Sequence, residues 1–270
     1  MKEKILLFIP TYNCEKQIAR VLRQVDDEVL DYITEVIVIN NRSQDKTEDE
    51  VIRFAEENTQ VPVKLLRNRD NYSLGGSHKV AFQYAKDNGF DYVIVLHGDD
   101  QGDIHDLLFW IKKGKHRKYK SLLGSRFEKK STLVNYSRFR IIGNYVFNIF
   151  ISTMAGKRLT DLGSGLNMYQ TEYLKSGFYM TFPNNLTFNV YMLLYGLYSK
   201  SQFHFFPLCW REEDQVSNAK LWKQSTQILQ LTMQYVFTKD KLFGVQKNEF
   251  SEIEYTYDVI HENRGVKENE

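Results

Sequence analysis

The sequence predicts an α/β domain built on a mostly parallel sheet flanked by helices, and three observations carry that prediction. Runs of strand length, rich in apolar β-branched residues, recur at Ile5–Ile9, Glu35–Asn40, Val63–Arg67 and Tyr92–Leu96. Short apolar runs of this kind read as strands buried on both faces. Segments of helical spacing lie between them, and strand alternating with helix implies right-handed crossovers and a parallel sheet. Each run also ends in a polar loop, at Pro10–Glu15, Asn40–Lys46, Asn68–Gly76 and His97–Gly102. In a parallel sheet these four loops gather along one edge, where the ligand sites of such sheets lie.

The elements follow in order. Glu15–Asp26 has helical spacing through Ile18, Val21, Leu22 and Val25, and further helices are expected over Thr47–Glu57 and Ser77–Asn88. The second half is less regular. It reads as a helix at Leu107–Lys113, a strand at Ser121–Gly124 and a long aromatic-rich helix at Ser137–Ala155. Asp161–Tyr169 is loop then strand, Gln170–Gly177 a short helix, Leu186–Tyr198 an apolar helix and Phe203–Trp210 a strand. A helix over Ala219–Phe237 has Leu221, Ile228, Leu229 and Met233 on one face. The simplest division is one catalytic domain over 1–237, with halves 1–103 and 104–237, and a polar tail over 238–270 whose last dozen residues are expected to fray.

Composition narrows the function classes. The chain has 270 residues, 42% of them hydrophobic, enough to bury the core of one large domain. A net charge of +2 gives no reason to expect nucleic-acid binding. Aromatic residues make up 14% of the chain, and they supply core mass, sugar-stacking faces or membrane-interface anchors. Cys14 and Cys209 are too few for a disulfide framework and have no metal-ligand spacing. Pro10-Thr11-Tyr12-Asn13 interrupts the first apolar run too early for a signal peptide. Leu186–Leu208 comes nearest to a membrane span, but Asn189, Lys200, Gln202 and His204 break it. The expected location is the cytoplasm, extending to the inner face of the cell membrane.

Chemistry concentrates after the fourth strand, in His97-Gly98-Asp99-Asp100-Gln101-Gly102-Asp103. Oxygen-rich side chains at a strand end suit Mn²⁺ or Mg²⁺ shared with nucleotide phosphates. The plain alternative is an acidic turn with Asp103 capping the next helix. The other loops bear on the choice. Pro10-Thr11-Tyr12-Asn13-Cys14-Glu15 resembles the opening motif of family 2 glycosyltransferases. Asn40-Asn41-Arg42-Ser43-Gln44-Asp45-Lys46-Thr47 resembles their Asp-Asp-x-Ser-x-Asp-x-Thr motif, and Asn71-Tyr72-Ser73-Leu74-Gly75-Gly76 their Asn-x-Gly-x-Gly stretch. His97–Gln101 is similar to the Asp-x-Asp-x-Gln metal motif of dolichol-phosphate mannose synthase-like members. The later half matches more loosely, through Asp161-Leu162-Gly163-Ser164-Gly165 and from Arg211 onward, with Ser217 and Lys220 at a longer spacing than the family's.

The resemblance implies a glycosyltransferase A-type fold and inverting, metal-dependent transfer from a UDP- or GDP-linked sugar. The implied acceptor is a polyprenyl phosphate or a lipid-linked or surface glycan. It implies donor binding by Pro10, Tyr12, Glu15, Asn40, Asn41, Ser43, Gly75, Lys79, His97, Gly98, Asp99 and Arg211, with Asp99 and Gln101 on the metal. Two residues depart from the family: Asn40 stands where Asp is usual, and His97 where the first Asp of the metal motif is. Lys79, at the start of a helix, is expected to meet phosphate, and Gly75 and Gly76 to let the backbone approach a ligand. Asp161 is the candidate base, with Glu212, Glu213 and Asp214 as rivals; an acceptor that is already an anionic phosphate needs none. Basic residues Lys129, Lys130, Arg138, Arg140, Lys157 and Arg158 flank the aromatic stretch Tyr136–Met154 and raise the expectation of peripheral membrane contact. A nucleotidyltransferase and a catalytically inactive nucleotide-sugar scaffold are the competing readings.

Overall fold

The computed structural model describes residues 2–214, 221–245 and 247–265. Strand β1 (Ile5–Thr11) is the central strand of the nucleotide half, and all seven of its residues are buried. Its side chains alternate between two cores: Ile5, Leu7 and Ile9 face one layer of helices, Leu6 and Phe8 the other. That alternation is the reason an unbroken apolar run is a strand here. Parallel pairing joins β1 to β2 (Glu35–Asn40) and β4 (Tyr92–Leu96), and β2 to β3 (Val63–Asn68). The intervening helices are α1 (Ile18–Arg23), α2 (Asp27–Leu30), α3 (Thr47–Glu57) and α4 (Ser73–Asp87). The helix expected over Glu15–Asp26 is shorter, Ile18–Arg23, and a second short helix follows it, begun by the Asp26 carboxylate accepting from Val29 N at 3.0 Å.

The second half completes the sheet. After α5 (His105–Lys112) come β5 (Ser121–Ser125), β6 (Thr132–Val134), α6 (Arg138–Ala155), β7 (Leu166–Gln170) and α7 (Thr171–Leu174). Then follow α8 (Phe188–Tyr198), β8 (Phe203–Pro207), β9 (Cys209–Arg211), α9 (Leu221–Phe243) and β10 (Tyr257–Glu262). The sheet order is β10-β3-β2-β1-β4-β7-β5-β8, with β6 and β9 in a separate pair. β7 runs antiparallel between β4 and β5, so the loop before it arrives at the same edge as the loops after β1, β2, β4 and β5. The sheet is mostly parallel and flanked by helices.

Part of the tail expected to fray is a strand, and residues 266–270 of it lie outside the described residues. Residues Tyr257–Glu262 form an edge strand antiparallel to β3, and the segment before them holds a buried lysine. Lys79 lies well inside α4, because that helix begins at Ser73 rather than Ser77. Its Nζ donates to Phe182 O at 2.6 Å, Asn184 Oδ1 at 2.8 Å and Tyr255 Oη at 3.0 Å, with the Tyr255 and Phe250 rings beside it. The expected phosphate contact is therefore corrected: this ammonium is fully enclosed by protein. Burial pushes it down to about 7 from 10.5. An unfolded chain then holds more protons than the folded one between those values, so stability rises with pH across that window. Thermal unfolding from pH 7 to 10 should show this rise in the native protein and a flatter profile in Lys79→Met; parallel profiles would refute it.

Candidate active site

Three loops are stitched together at the carboxyl edge of β1 and β2. Asn13 N donates to Ser43 Oγ at 2.9 Å, Gln44 N to Asn13 Oδ1 at 2.9 Å, and Cys14 N to Thr47 Oγ1 at 2.8 Å. Glu15 Oε2 accepts from Lys46 N at 3.1 Å, so its carboxylate sits over the start of α3. Asp45 turns the chain into that helix, accepting from Thr47 N at 3.0 Å while also receiving Glu15 N. Asn41 is buried and joins the third loop: its amide donates to Asn71 Oδ1 at 2.8 Å, and its oxygen receives Asn68 Nδ2 and Tyr72 N, each at 2.9 Å. Tyr12 is partly exposed at the rim, 38% of its surface being open.

The structure gives a physical reason for Asn40. Its Nδ2 donates to Glu48 Oε1 at 2.6 Å and its Oδ1 accepts from Ser43 N at 2.9 Å. Arg67 near the end of β3 grips Glu48 through one guanidinium edge, Nε donating to Oε1 and Nη2 to Oε2, and that grip holds the carboxyl below its usual range. An aspartate at position 40 would set two carboxylates against each other. The change Asn40→Asp, although it restores the family's usual residue, is thus expected to destabilise the fold by about 1–3 kcal/mol. Unchanged denaturant midpoints for Asn40→Asp would overturn this account.

The glycines around the site serve close packing. Gly75 donates its N–H to Asn184 O at 2.7 Å, and a Cβ there would lie 2.7 Å from Pro183 O. The space expected to admit a ligand at Gly75 is filled by the Pro183–Asn184 backbone, which corrects that expectation. Gly98 does bring the metal-motif loop onto β1: its N–H donates to Pro10 O at 3.1 Å, and a Cβ would meet Thr11 Cγ2 at 2.6 Å. Gly165 lies against the His97 ring, with 3.0 Å from its Cβ position to Cγ.

His97 and Asp99 form the unsatisfied centre of the site. His97 Nε2 is buried with no hydrogen-bond partner among the described residues, and burial pushes its imidazole down toward the neutral form. Burial pushes the Asp99 carboxyl up, and the backbone N–H of Gln101 is its long hydrogen bond at 3.4 Å. The Gln101 side chain carries no hydrogen bond among the described residues. A carboxylate and an amide oxygen two residues apart, poorly satisfied by protein, fit a hard divalent cation whose remaining ligands are phosphate and water. Among the described residues there is no cluster of three His, Cys, Asp or Glu to hold the ion by itself.

Asp100 points the other way, its backbone in the left-handed region at φ 59°. It receives Arg20 Nε at 2.7 Å, Gln24 Nε2 at 3.1 Å and Arg211 at 3.3 Å. Arg211 Nε also donates to the Asp100 carbonyl at 3.0 Å, so this arginine braces the metal-motif turn. Arg20 reaches on to Asp214, donating at 2.8 and 3.2 Å. Glu212 is bound by Arg140 at 2.6 and 2.8 Å, and Glu213 is exposed on the same turn. Where a general base is expected, Asp161 is buried and receives Arg126 N, Nε and Nη2 at 2.8–2.9 Å with Gly163 N at 3.2 Å. Burial raises that carboxyl, but Arg126's charge and hydrogen bonds outweigh it and leave the carboxyl below its ordinary value. Ser217 and Lys220 lie outside the described residues.

Arg20, Gln24 and Arg126 escape the motif reading. Arg20 and Gln24 sit four apart on a helix whose other face is apolar, and Arg126 follows a buried strand end as His97 does. Those were the available signals.

The profile described as Glycosyl transferase family 2 matches residues 7–178. The chain belongs to glycosyltransferase family 2. It is 27% identical over 175 residues to an uncharacterized protein of Methanocaldococcus jannaschii, covering 64% of this chain and 68% of that one. It is 24% identical over 187 residues to the UDP-N-acetylglucosamine–dolichyl-phosphate N-acetylglucosaminyltransferase of Methanococcus voltae, covering 65% and 73%. Among solved structures, glucosyl-3-phosphoglycerate synthase of Mycobacterium tuberculosis, with Mn²⁺, uridine-diphosphate and phosphoglyceric acid, aligns at TM-score 0.63 and 14% identity over 97% of this chain and 90% of that one. A mannosyltransferase of Pyrobaculum calidifontis with GDP-Man and Mn²⁺ aligns at 0.61 and 17% over 92% and 66%. These likenesses establish the glycosyltransferase A-type fold, and family membership favours sugar transfer over nucleotidyl transfer.

Proposed function

We propose that this family 2 glycosyltransferase moves a sugar, with inversion, from a UDP- or GDP-linked donor to an acceptor that is already an anion, a lipid-linked phosphate. The observation that carries the acceptor class is the pairing of three of the four candidate bases, the fourth, Glu213, being exposed. Asp161, Glu212 and Asp214 are each held by an arginine, and a carboxylate held this way is a poor proton acceptor. A phosphate oxygen needs no deprotonation: it forms the new bond to the sugar's anomeric carbon as the bond from that carbon to the nucleoside diphosphate breaks. The electron pair leaves with the diphosphate. The name of the Methanococcus voltae relative, with a nucleotide-sugar donor and a dolichyl phosphate acceptor, supports the same reading.

Roles follow from placement. Glu15 and Asn41, with Ser43 and Asn40, shape the pocket edge for the nucleoside, and Pro10 and Gly98 fix the distance between that edge and the metal-motif turn. Tyr12 offers a ring face at the rim. Asp99 and Gln101 would hold Mn²⁺ or Mg²⁺, which when bound neutralises charge on the departing diphosphate. His97, neutral and unpartnered, donates or accepts one hydrogen bond to the donor. Arg211 and Asp161 position the loops around this centre.

The test is a screen of UDP-, GDP- and dTDP-sugars with Mn²⁺, against a polyprenyl phosphate and against neutral sugar acceptors. Transfer to the phosphate is expected. Transfer confined to a sugar hydroxyl would overturn the acceptor class, and nucleotide binding without any turnover would favour an inactive scaffold.

A further inference from the structure

The structure treats the aromatic-rich helix α6 and the aromatic-rich segment from Leu186 to Phe206 differently. In the second, Phe188, Leu194 and Phe206 are fully buried. In α6, Phe139 is 86% exposed, Ile142 64%, Val146 62% and Ile149 65%, with Tyr145 and Phe150 also open. Positions 139, 142, 146, 149 and 150 recur at intervals that place them on one helix face. The opposite face is fixed to protein: Asn148 Nδ2 donates to Thr160 O at 2.8 Å, and Ser152 Oγ accepts from Leu159 N at 2.9 Å. Helix α9 packs beside α6 and continues the open surface with Met233 and Phe237. Soluble monomers rarely expose a contiguous apolar patch of this kind without using it.

Charge selects the occupant. From Lys129 to Thr160 the chain contains no Asp or Glu, and it carries the six cations that flank or begin α6. Arg140 is held by Glu212, and Arg158 meets Glu128 at 3.7 Å. Lys129, Lys130 and Arg138 are exposed and form no ion pair among the described residues. A second copy seated on this face would set like charges against each other. An anionic lipid surface satisfies both features, taking the rings and aliphatic side chains at the acyl boundary and the cations at its headgroups.

We propose that the exposed face of α6, continued by α9, docks this protein on an anionic bilayer surface with the acceptor half of the site held at headgroup level. The same helix is pinned to Thr160, next to Asp161, and through Arg140 to Glu212, next to Arg211. Docking α6 therefore brings the Arg126–Asp161 and Arg211 loops to the lipid surface. Among the described residues no helix is long and apolar enough to cross a membrane, so the contact is interfacial. This deepens the lipid-phosphate reading and rests on it for its purpose.

Co-sedimentation of the full chain with phosphatidylcholine vesicles, with and without phosphatidylglycerol, tests the docking. Binding is expected only with phosphatidylglycerol and is expected to weaken from low to physiological salt. Ile142→Asn/Ile149→Asn should lower partitioning about tenfold or more, Lys129→Gln/Lys130→Gln/Arg138→Gln should remove most of the salt dependence, and Phe109→Ser on α5 should change neither. A protein that stays in the supernatant with anionic vesicles at low salt overturns the proposal. So does a solution dimer that Ile142→Asn/Ile149→Asn converts to monomer. Calorimetry with UDP and GDP on the same samples separates the two readings: intact nucleotide binding with failed docking rejects only the docking, and intact docking without transfer to a lipid phosphate rejects only the acceptor.

Discussion

Replacing Asp99 by asparagine is expected to lower nucleotide-sugar turnover by at least about a hundredfold while leaving the fold as stable as before or more so. The first half follows from the proposed metal role: an ion that neutralises the departing diphosphate contributes several kcal/mol to the transition state, and each 1.4 kcal/mol is about tenfold in rate. The second half follows from the setting of the carboxyl. Asp99 is half-buried, burial raises its carboxyl, and its hydrogen bond from Gln101 N is a long one at 3.4 Å. A half-buried anion with so little compensation costs stability, and the neutral isostere removes that cost. The pairing of outcomes is the informative part. Turnover measured with excess Mn²⁺, together with the melting temperature in metal-free buffer, distinguishes a ligand from a cap. Lost turnover with a sharply lower melting temperature would make Asp99 a structural residue.

The fold was legible where both faces of an element are buried. Strands β1, β2 and β4 have apolar residues at both parities because two layers of helices cover them. The edge strand β10 has no such signature. Its pattern is Tyr-Asp-Val-Ile-His-Glu, half exposed, and backbone pairing to β3 holds it more than burial does. That kind of pairing leaves no mark in composition. Lys79 was misplaced for a related reason. With the helix start taken at Ser77, it stands at the N-terminus facing anions; with the start at Ser73 it lies a turn deeper, under the C-terminal segment that carries Tyr255.

In the site, the loops were legible and the ion pairs were not. Motif order placed Glu15, Asn40 and Asp99 at one sheet edge because a parallel sheet puts consecutive loops side by side. The partners that decide their chemistry are distant in sequence: Arg20 meets Asp214, Arg126 meets Asp161 and Arg140 meets Glu212. Spacing carries no information about such contacts. The consequence is functional, since a reading by motif sees four available carboxylates and the structure shows three of them, Asp161, Glu212 and Asp214, paired with arginines.

Arg126→Met is expected to cost about 3–5 kcal/mol of stability, the penalty for leaving a buried carboxylate without its partner. The arginine side chain is 16% exposed and the aspartate 2%, so solvent offers little screening. The pH dependence supplies a second, opposite signature. In the native protein the folded Asp161 carboxyl lies below its ordinary value of 3.8. The stability it contributes is present above that value and is lost as pH falls through the lower folded one. Without Arg126, burial dominates, the carboxyl rises above its ordinary value, and acidification through that raised value protonates it and restores stability. Arg126→Met should therefore be relatively more stable at pH 5 than at pH 7, while the native protein is not. The double variant Arg126→Met/Asp161→Asn should lose less than the sum of the two single losses, because the pair acts as a unit. Denaturant unfolding of the four proteins measures this coupling. Additive losses, with Asp161→Asn abolishing turnover on a hydroxyl acceptor at an unchanged midpoint, would instead make Asp161 a proton acceptor and return the site to a hydroxyl nucleophile.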